Sequence, residues 1–285
     1  MTLKSIYDIA LKSADGQENF LEQFRGKATL IVNTTVGCGN ANQMEVLQWL
    51  QDKYGGEHFQ VVAIPTNDYC GPGITHGKWS QGITCGADSA NYGKDVYGTT
   101  FQFSEMVSSI PGHGVSQQLG VEPGHNGLGQ PFGEPHELYK EIRSHQEAAK
   151  DILAQNGFHY KDMFKDKYFS WWLNLGFYNG TTMGGNFEKY LVDKDGYVDK
   201  HFQCTVLNWD SEATVKEMAA KEGKEIGIGM GRSKKIFDEE WTVVCQSIEE
   251  LMFGRRSFVN PASNSVVSNF KAPNDVSSLS SLSLA

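Results

Sequence analysis

The sequence predicts an α/β fold built on a central mixed sheet with helices on its faces. Three observations predict it. Residues 27–33 (KATLIVN) form an apolar, β-branched run behind Gly26, and residues 58–64 (HFQVVAI) form a second run closed by Pro65. Between them lies a segment of helical periodicity, and a strand–helix–strand unit of this kind makes its two strands parallel neighbours. Farther on, YLVDKDGYVDKHF (190–202) holds two short strands across Asp195-Gly196, the pattern of an antiparallel hairpin. A parallel unit joined to a hairpin gives a mixed sheet.

Each element follows from its local pattern. The first run is continuous rather than alternating, as a strand buried on both faces requires. A turn, TTVGCGN, follows it. Met44, Leu47, Leu50 and Tyr54 then recur at helical spacing and stop at Gly55-Gly56, so 41–54 reads as a helix. From 66 to 136 the chain is rich in Gly, Pro, Asn and Ser. Within it a short stretch near 99–108 (TTFQFSEMVS) alone reads as regular, and 111–135 reads as a long surface loop. Residues 135–178 read as helical: HELYKEI, then SHQEAAKDILAQ, then Tyr160, Phe164, Tyr168 and Trp172 at every fourth position. That aromatic stripe faces either the core or a partner. After the hairpin, DSEATVKEMAAKEGK (210–224) reads as a helix with Asp210 or Ser211 as N-cap and Gly223 near its end. The order β-α-β, interruption, β-β-α is the thioredoxin-like order.

Beyond it, Phe237, Trp241, Val244, Ile248 and Leu251 repeat at 4-3-4-3, with acids at 238–240 and Arg255-Arg256 at the far end. This charge placement suits the helix dipole, and the segment reads as an amphipathic helix that covers the domain or pairs with a neighbour. The last stretch, NPASNSVVSNFKAPNDVSSLSSLSLA, is Ser/Asn-rich and expected to be disordered in isolation. The predicted organisation is a core domain over 1–224 with insertions at about 109–134 and 144–185, a helical extension over 225–258, and a tail over 259–285.

Composition narrows the function. The 285 residues carry 25 Lys+Arg against 34 Asp+Glu, a formal net charge of -9, with no basic run to meet a nucleic-acid backbone. No stretch approaches ~18 apolar residues, so no membrane span is expected. The start, MTLKSIYDIALKSADG, lacks the apolar core of a secretory signal. Glycine, at 31 residues, exceeds the ~7% of ordinary domains and points to loops and insertions. Five widely spaced cysteines (Cys38, Cys70, Cys85, Cys204, Cys245) do not form a disulfide framework, which favours a reducing, cytoplasmic origin. The histidines form no HxxxH pair and the cysteines no CxxC pair, so no metal and no cofactor are expected. Two motif readings fail. IGIGMGRSKK (226–235) lacks the phosphate-loop spacing. An EF-hand loop counted from Asp193 would put Val198 and Cys204 at its required glycine and glutamate.

Cys38 is the residue best placed for chemistry. It lies between the first strand and the following helix, where backbone N–H groups and the helix dipole favour a thiolate. Such a thiolate attacks a peroxide or a disulfide; the alternative is a small residue buried in a tight turn. The sequence Cys38-Gly39-Asn40-Ala41 lacks the second cysteine of a dithiol pair, which excludes a thioredoxin-type cycle at this site.

Here the chain resembles the glutathione peroxidase family. SIYDIALKSADGQENFLEQFRGKATLIVNTTVGCGNANQ is similar to the family pattern "SIYDF…G…SL..Y.GK..LIVNVAS.CG.T.Q". VVAIPTNDY, YGTTFQFSEM, PHELYKEI and NFEKYLVDKDGYVDKHF follow in the family's order, against "VLGFPCNQF", "YGVTFPMFEK", "HPLYKFL" and "NFTKFLVDRDGKVVKRY". The resemblance implies a thioredoxin-like fold and a peroxidatic cysteine, Cys38, assisted by a glutamine, a tryptophan and an asparagine. Asn186 stands at the asparagine. Asp68 occupies the glutamine position and Gly185 the tryptophan position. The departures matter, because an amide or indole donates a hydrogen bond to a thiolate, whereas a carboxylate only accepts and raises the thiol pKa by its charge. Trp171 or Trp172 is a candidate to refill the place vacated at Gly185. The resemblance also implies a resolving thiol, for which Cys85 and Cys70 compete.

Two functions are therefore expected. One is a thiol peroxidase that reduces hydroperoxides through a Cys38 sulfenic acid, with glutathione or thioredoxin as its thiol reductant. The other is a catalytically degenerate thioredoxin-fold subunit of a large assembly such as a virion. It would bind neighbours through the aromatic helix 160–175, helix 237–252 and tail 259–285. On that reading the chain's place is within a particle assembled in a cytoplasm.

Overall fold

Seven consecutive buried residues make β1 (Ala28–Thr34), and seven more make β2 (Phe59–Pro65). The computed structural model describes residues 2–35, 40–68, 85–109, 134–155, 186–204, 206–208, 234–257 and 259–262. The two strands pair in parallel from Ala28↔Phe59 to Thr34↔Pro65, joined through α1 (Gln43–Tyr54). β3 (Gln102–Phe103) adds a parallel edge beside β2. On the other side, β4 (Lys189–Val192) runs antiparallel to β1, and β5 (Val198–Phe202) antiparallel to β4. The order is β3-β2-β1-β4-β5, the mixed sheet of a thioredoxin-like α/β fold.

Alternate residues of each strand feed two cores. Leu30, Val32, Val61, Ala63 and Leu191 face α1, while Ile31, Val62, Ile64, Tyr190 and Val192 face the N-terminal segment and α3 (Glu137–Gln155). Double coverage explains why β1 and β2 read as continuous apolar runs. The predicted hairpin is present, closed by Gly196 at φ +93, a conformation that favours glycine. A side chain there would also strike the Ser5 hydroxyl.

One helix was not anticipated. α2 (Gly86–Tyr97) lies in the stretch read as mostly irregular. Its buried residues are Gly86, Ser89, Tyr92 and Gly93, which carry too little apolar surface to make a helical pattern. It packs by close approach instead: a Cβ on Gly86 would sit 2.1 Å from the Ser104 carbonyl oxygen.

The C-terminal amphipathic segment is α4 (Lys234–Met252). Phe237, Val244, Cys245, Ile248 and Leu251 are buried in the same core as α1 and β1, so the heptad-like face is spent within the chain rather than offered to a partner. After it the chain turns back over the hairpin. Arg255 grips Asp199 through two bonds of 2.7 Å, Ser257 donates its N–H to Asp193, and the Asn260 amide bonds both Asp193 and Asp195. Residues 259–262, expected as the start of a free tail, are held by these contacts. The aromatic stripe at 160–175, the helix at 210–224 and residues 263–285 lie outside the described residues. Among the described residues no helix is long and apolar enough to cross a membrane.

Candidate active site

Parallel strands direct the C-terminal ends of β1, β2 and β3 to one edge of the sheet. Cys38 falls within 36–39, outside the described residues, but both flanks of its turn are fixed at that edge. On one side Thr34 and Thr35 are buried, and the Thr34 carbonyl accepts the Thr66 N–H at 2.8 Å, tying the end of β1 to the end of β2. On the other side Asn40 is buried, its carbonyl accepts the Gln43 N–H at 3.0 Å, and its side-chain oxygen accepts the Asn208 amide at 2.9 Å. Gln43, on the first turn of α1, donates to the Cys204 carbonyl at 2.7 Å. The start of α1 is therefore bolted to the segment that follows β5.

Asn186 reaches the same edge just before β4. It is 6% exposed and its Oδ1 has no partner, so the amide is held in the interior without being used there. The next residue, Phe187, has φ +66, uncommon for a bulky side chain. Full burial and an N–H bond of 2.8 Å to the Asn33 carbonyl maintain it. Leu207, at φ +65, is likewise held by its N–H bond to Glu240 of α4 at 2.8 Å and sets up Asn208. Two strained residues thus precede or follow the two asparagines at this edge. Asn208 and Asn40 were missed in the sequence, where an asparagine outside any motif carries no signal.

Asp68 is placed at the end of β2, 5% exposed. Its Oδ1 accepts the Ser108 hydroxyl at 3.0 Å, and its Oδ2 accepts both the N–H and the hydroxyl of Ser109. The carboxylate is engaged by three donors and offers none. The Tyr139 hydroxyl is buried without a partner; burial, and then the Asp68 charge, push this phenol well above its ordinary value.

Glu188 and His201 form a second buried feature near this edge, with His201 Nε2 bonded to the Glu188 carboxylate and its ring stacked on Tyr190 at 4.8 Å. The Glu188 N–H in turn bonds Asn33 Oδ1 at 2.7 Å.

The thiols are scattered. Cys85 is exposed at the N-terminal boundary of α2. It lies near the end of β3, two strands away from β1, a lateral offset of about 10 Å. Cys204 is buried after β5. Cys245 is buried on α4 with Lys53 Nζ 3.8 Å from its sulfur. Burial pushes that thiol up against the pull of Tyr54 and Lys53. Cys70, Gly185, Trp171 and Trp172 lie outside the described residues. Among the described residues no group of three or more His, Cys, Asp or Glu side chains is placed to hold a metal.

Residues 6–109 match the family model for glutathione peroxidase. The chain is 36% identical over 105 residues to the glutathione peroxidase homolog BsaA of Staphylococcus epidermidis, covering 37% of this chain and 61% of that protein. To its counterpart in Staphylococcus aureus it is 30% identical over the same length. The chain thus spans about three fifths of these relatives, 61% in each case. The crystal structure of T. cruzi GPX1 aligns at a TM-score of 0.40 with 19% identity, over 76% of this chain and 94% of that one. β1, α1 and the Cys38 segment between them, β2, Asp68, α2 and β3 all fall within the matched residues, and over this part the chain is similar to the glutathione peroxidase family.

Proposed function

We propose that the chain is a thiol peroxidase in which Cys38 reduces a hydroperoxide. The observation that carries this reading is the family match over 6–109, which includes β1, the Cys38 turn and α1 in one piece. The Cys38 thiolate attacks one peroxide oxygen: an S–O bond forms, the O–O bond breaks, and the departing oxygen takes a proton to leave as alcohol or water. The cysteine is left as a sulfenic acid. A second thiol then attacks that sulfur and displaces water to give a disulfide, which an external thiol such as glutathione or thioredoxin reduces. Cys85, exposed at the end of α2, is the described candidate for the second thiol; Cys70 is its rival.

The departures set the rate. Asn186 supplies the amide that remains at this edge, and its unpartnered Oδ1 leaves the side chain uncommitted. Asp68 donates nothing, and Gly185 has no side chain. Loss of one such oriented donor costs about 10²–10³ in rate, so turnover slower than in a complete site is expected. The test is the second-order rate constant of the full chain with hydrogen peroxide, followed by loss of the Cys38 thiol. It should exceed that of free cysteine and vanish in Cys38→Ser. A rate equal to free cysteine sinks the reading.

A further inference from the structure

We propose that Asp68 is a positioning residue that fastens the 107–109 stretch to the end of β2, in place of the hydrogen-bond donor its family position carries. The link to Cys38 rests on the thiol-peroxidase reading; the anchor itself stands on geometry alone.

Three features make the anchor. The carboxylate is 5% exposed and accepts from Ser108 Oγ at 3.0 Å, from Ser109 Oγ at 2.6 Å and from the Ser109 N–H. Ser109 is itself 2% exposed, so these charge-assisted bonds are shielded from water. Its backbone is fixed as well, because the Asp68 N–H bonds Thr66 Oγ1 at 3.2 Å and Val107 N–H bonds the Pro65 carbonyl at 3.0 Å. Finally, the Ser108 carbonyl accepts the His136 N–H at 3.0 Å. Residues 108 and 136, the two flanks of the insertion expected at 109–134, are therefore joined at the point Asp68 holds.

The chemistry of the position follows. Two carboxylate oxygens match donors on both sides. A glutamine there is one methylene longer, so its amide overruns the close-set Ser108 and Ser109, and it lacks the negative charge that strengthens these bonds. Reverting Asp68 to the family residue should therefore loosen the site rather than repair it. Through Thr66 and Thr34 the anchor is one strand away from the Cys38 turn, so loosening it disturbs the placement of the thiolate against its peroxide.

The test compares the full chain with Asp68→Gln, Asp68→Ala, Ser109→Ala and Ser109→Thr by two readouts: hydrogen exchange at the residue 109 amide, and the rate constant of Cys38 with hydrogen peroxide. Asp68→Gln and Asp68→Ala should raise exchange by at least about tenfold and slow Cys38 by about tenfold. Ser109→Thr, which keeps both donors, should stay within about twofold of the parent on both. Ser109→Ala, which leaves Asp68 in place, should move both readouts in the same direction as Asp68→Ala and serves if that variant fails to fold. An Asp68→Gln chain that keeps the amide protected, or reacts faster with peroxide, overturns the proposal and returns the position to an impaired donor. A parent Cys38 no faster than free cysteine removes the peroxidase reading alone, since the exchange readout still judges the anchor.

Discussion

His145 shows how much one buried side chain decides. It is 0% exposed on α3, its Nδ1 accepts the Val198 N–H at 3.2 Å, and its Nε2 lies 2.8 Å from the Lys4 carbonyl. These two bonds need a neutral imidazole with its hydrogen on Nε2, because a protonated ring has no acceptor. Around it stand Glu141, with Oε1 3.3 Å from Nε2, the Asp193 carboxylate, and the Tyr197 ring stacked at 5.3 Å. Burial lowers its pKa more than the Lys4 carbonyl, Glu141 and Asp193 raise it. A base whose folded pKa lies below its unfolded value binds fewer protons when folded. Its contribution is therefore complete above about 6.5 and is lost as pH falls from there toward the folded value. Urea midpoints at pH 7.5 and 5.0 should fall more for the parent than for His145→Gln; an equal fall in both would rule His145 out as the titrating staple. The sequence singled out Cys38, Asp68 and Asn186 because they sit in contiguous motifs. It did not reveal that Asp68 is spent on Ser108 and Ser109, or that Asn208 steadies Asn40, because those partners lie 41 and 168 positions away.

Elements were legible where one face carries enough apolar surface to set a period. β1, α1, β2, the hairpin and α4 all meet that condition, and each falls within a few residues of its expected bounds. α2 does not, because its close approaches are made by Gly86, against the Ser104 carbonyl, and Gly93, against the Phe103 ring, whose lack of bulk is the feature being used. The Gly86 position states the case. An added Cβ would lie 2.1 Å from the Ser104 carbonyl oxygen and 2.7 Å from the Glu105 Cα, and neither backbone atom yields without displacing β3. Gly86→Ala should cost about 1–3 kcal/mol by overpacking, read as a shift in denaturant midpoint. It should also change hydrogen exchange across 102–105. An alanine here that stabilises the protein, as helix propensity alone dictates, would show that α2 and β3 are not in this contact. Tight seating also bears on the proposed chemistry, since Cys85 adjoins Gly86 and a Cys85 that moves to meet another thiol must unseat this end of the helix.

At the scale of the molecule, the C-terminal part is where the sequence reading and the structure differ most in emphasis. The period of α4 was visible, but a period does not tell which surface a face will meet, and here it meets the sheet of its own chain. The clamp beyond α4 was invisible because Asp193, Asp195 and Asp199 look like ordinary hairpin acids until Arg255, Ser257 and Asn260 return to them. Asp199 is fully buried on its side-chain atoms, against 25% for Arg255. Burial pushes its carboxyl up, yet Lys200 and Arg255 outweigh that and hold it below the ordinary carboxylate value. The clamp thus persists at neutral pH and weakens only as pH falls below about 4, where an unfolded aspartate also takes its proton. It closes the hairpin edge and fastens the end of α4 to the strand that α4 helps bury. A chain ending after Ala262 keeps every one of these bonds, whereas a chain ending after Met252 loses Arg255, Ser257 and Asn260 together and leaves Asp199 with Lys200 alone. Removing a partner from a buried charge costs up to roughly 3 kcal/mol. Chemical denaturation should therefore rank the chain ending at 262 above the chain ending at 252, by up to about that amount. Asp199→Asn in the longer chain should recover part of the gap. Equal midpoints for the two truncations would mean that α4 is held by its apolar face alone and that the clamp adds no stability.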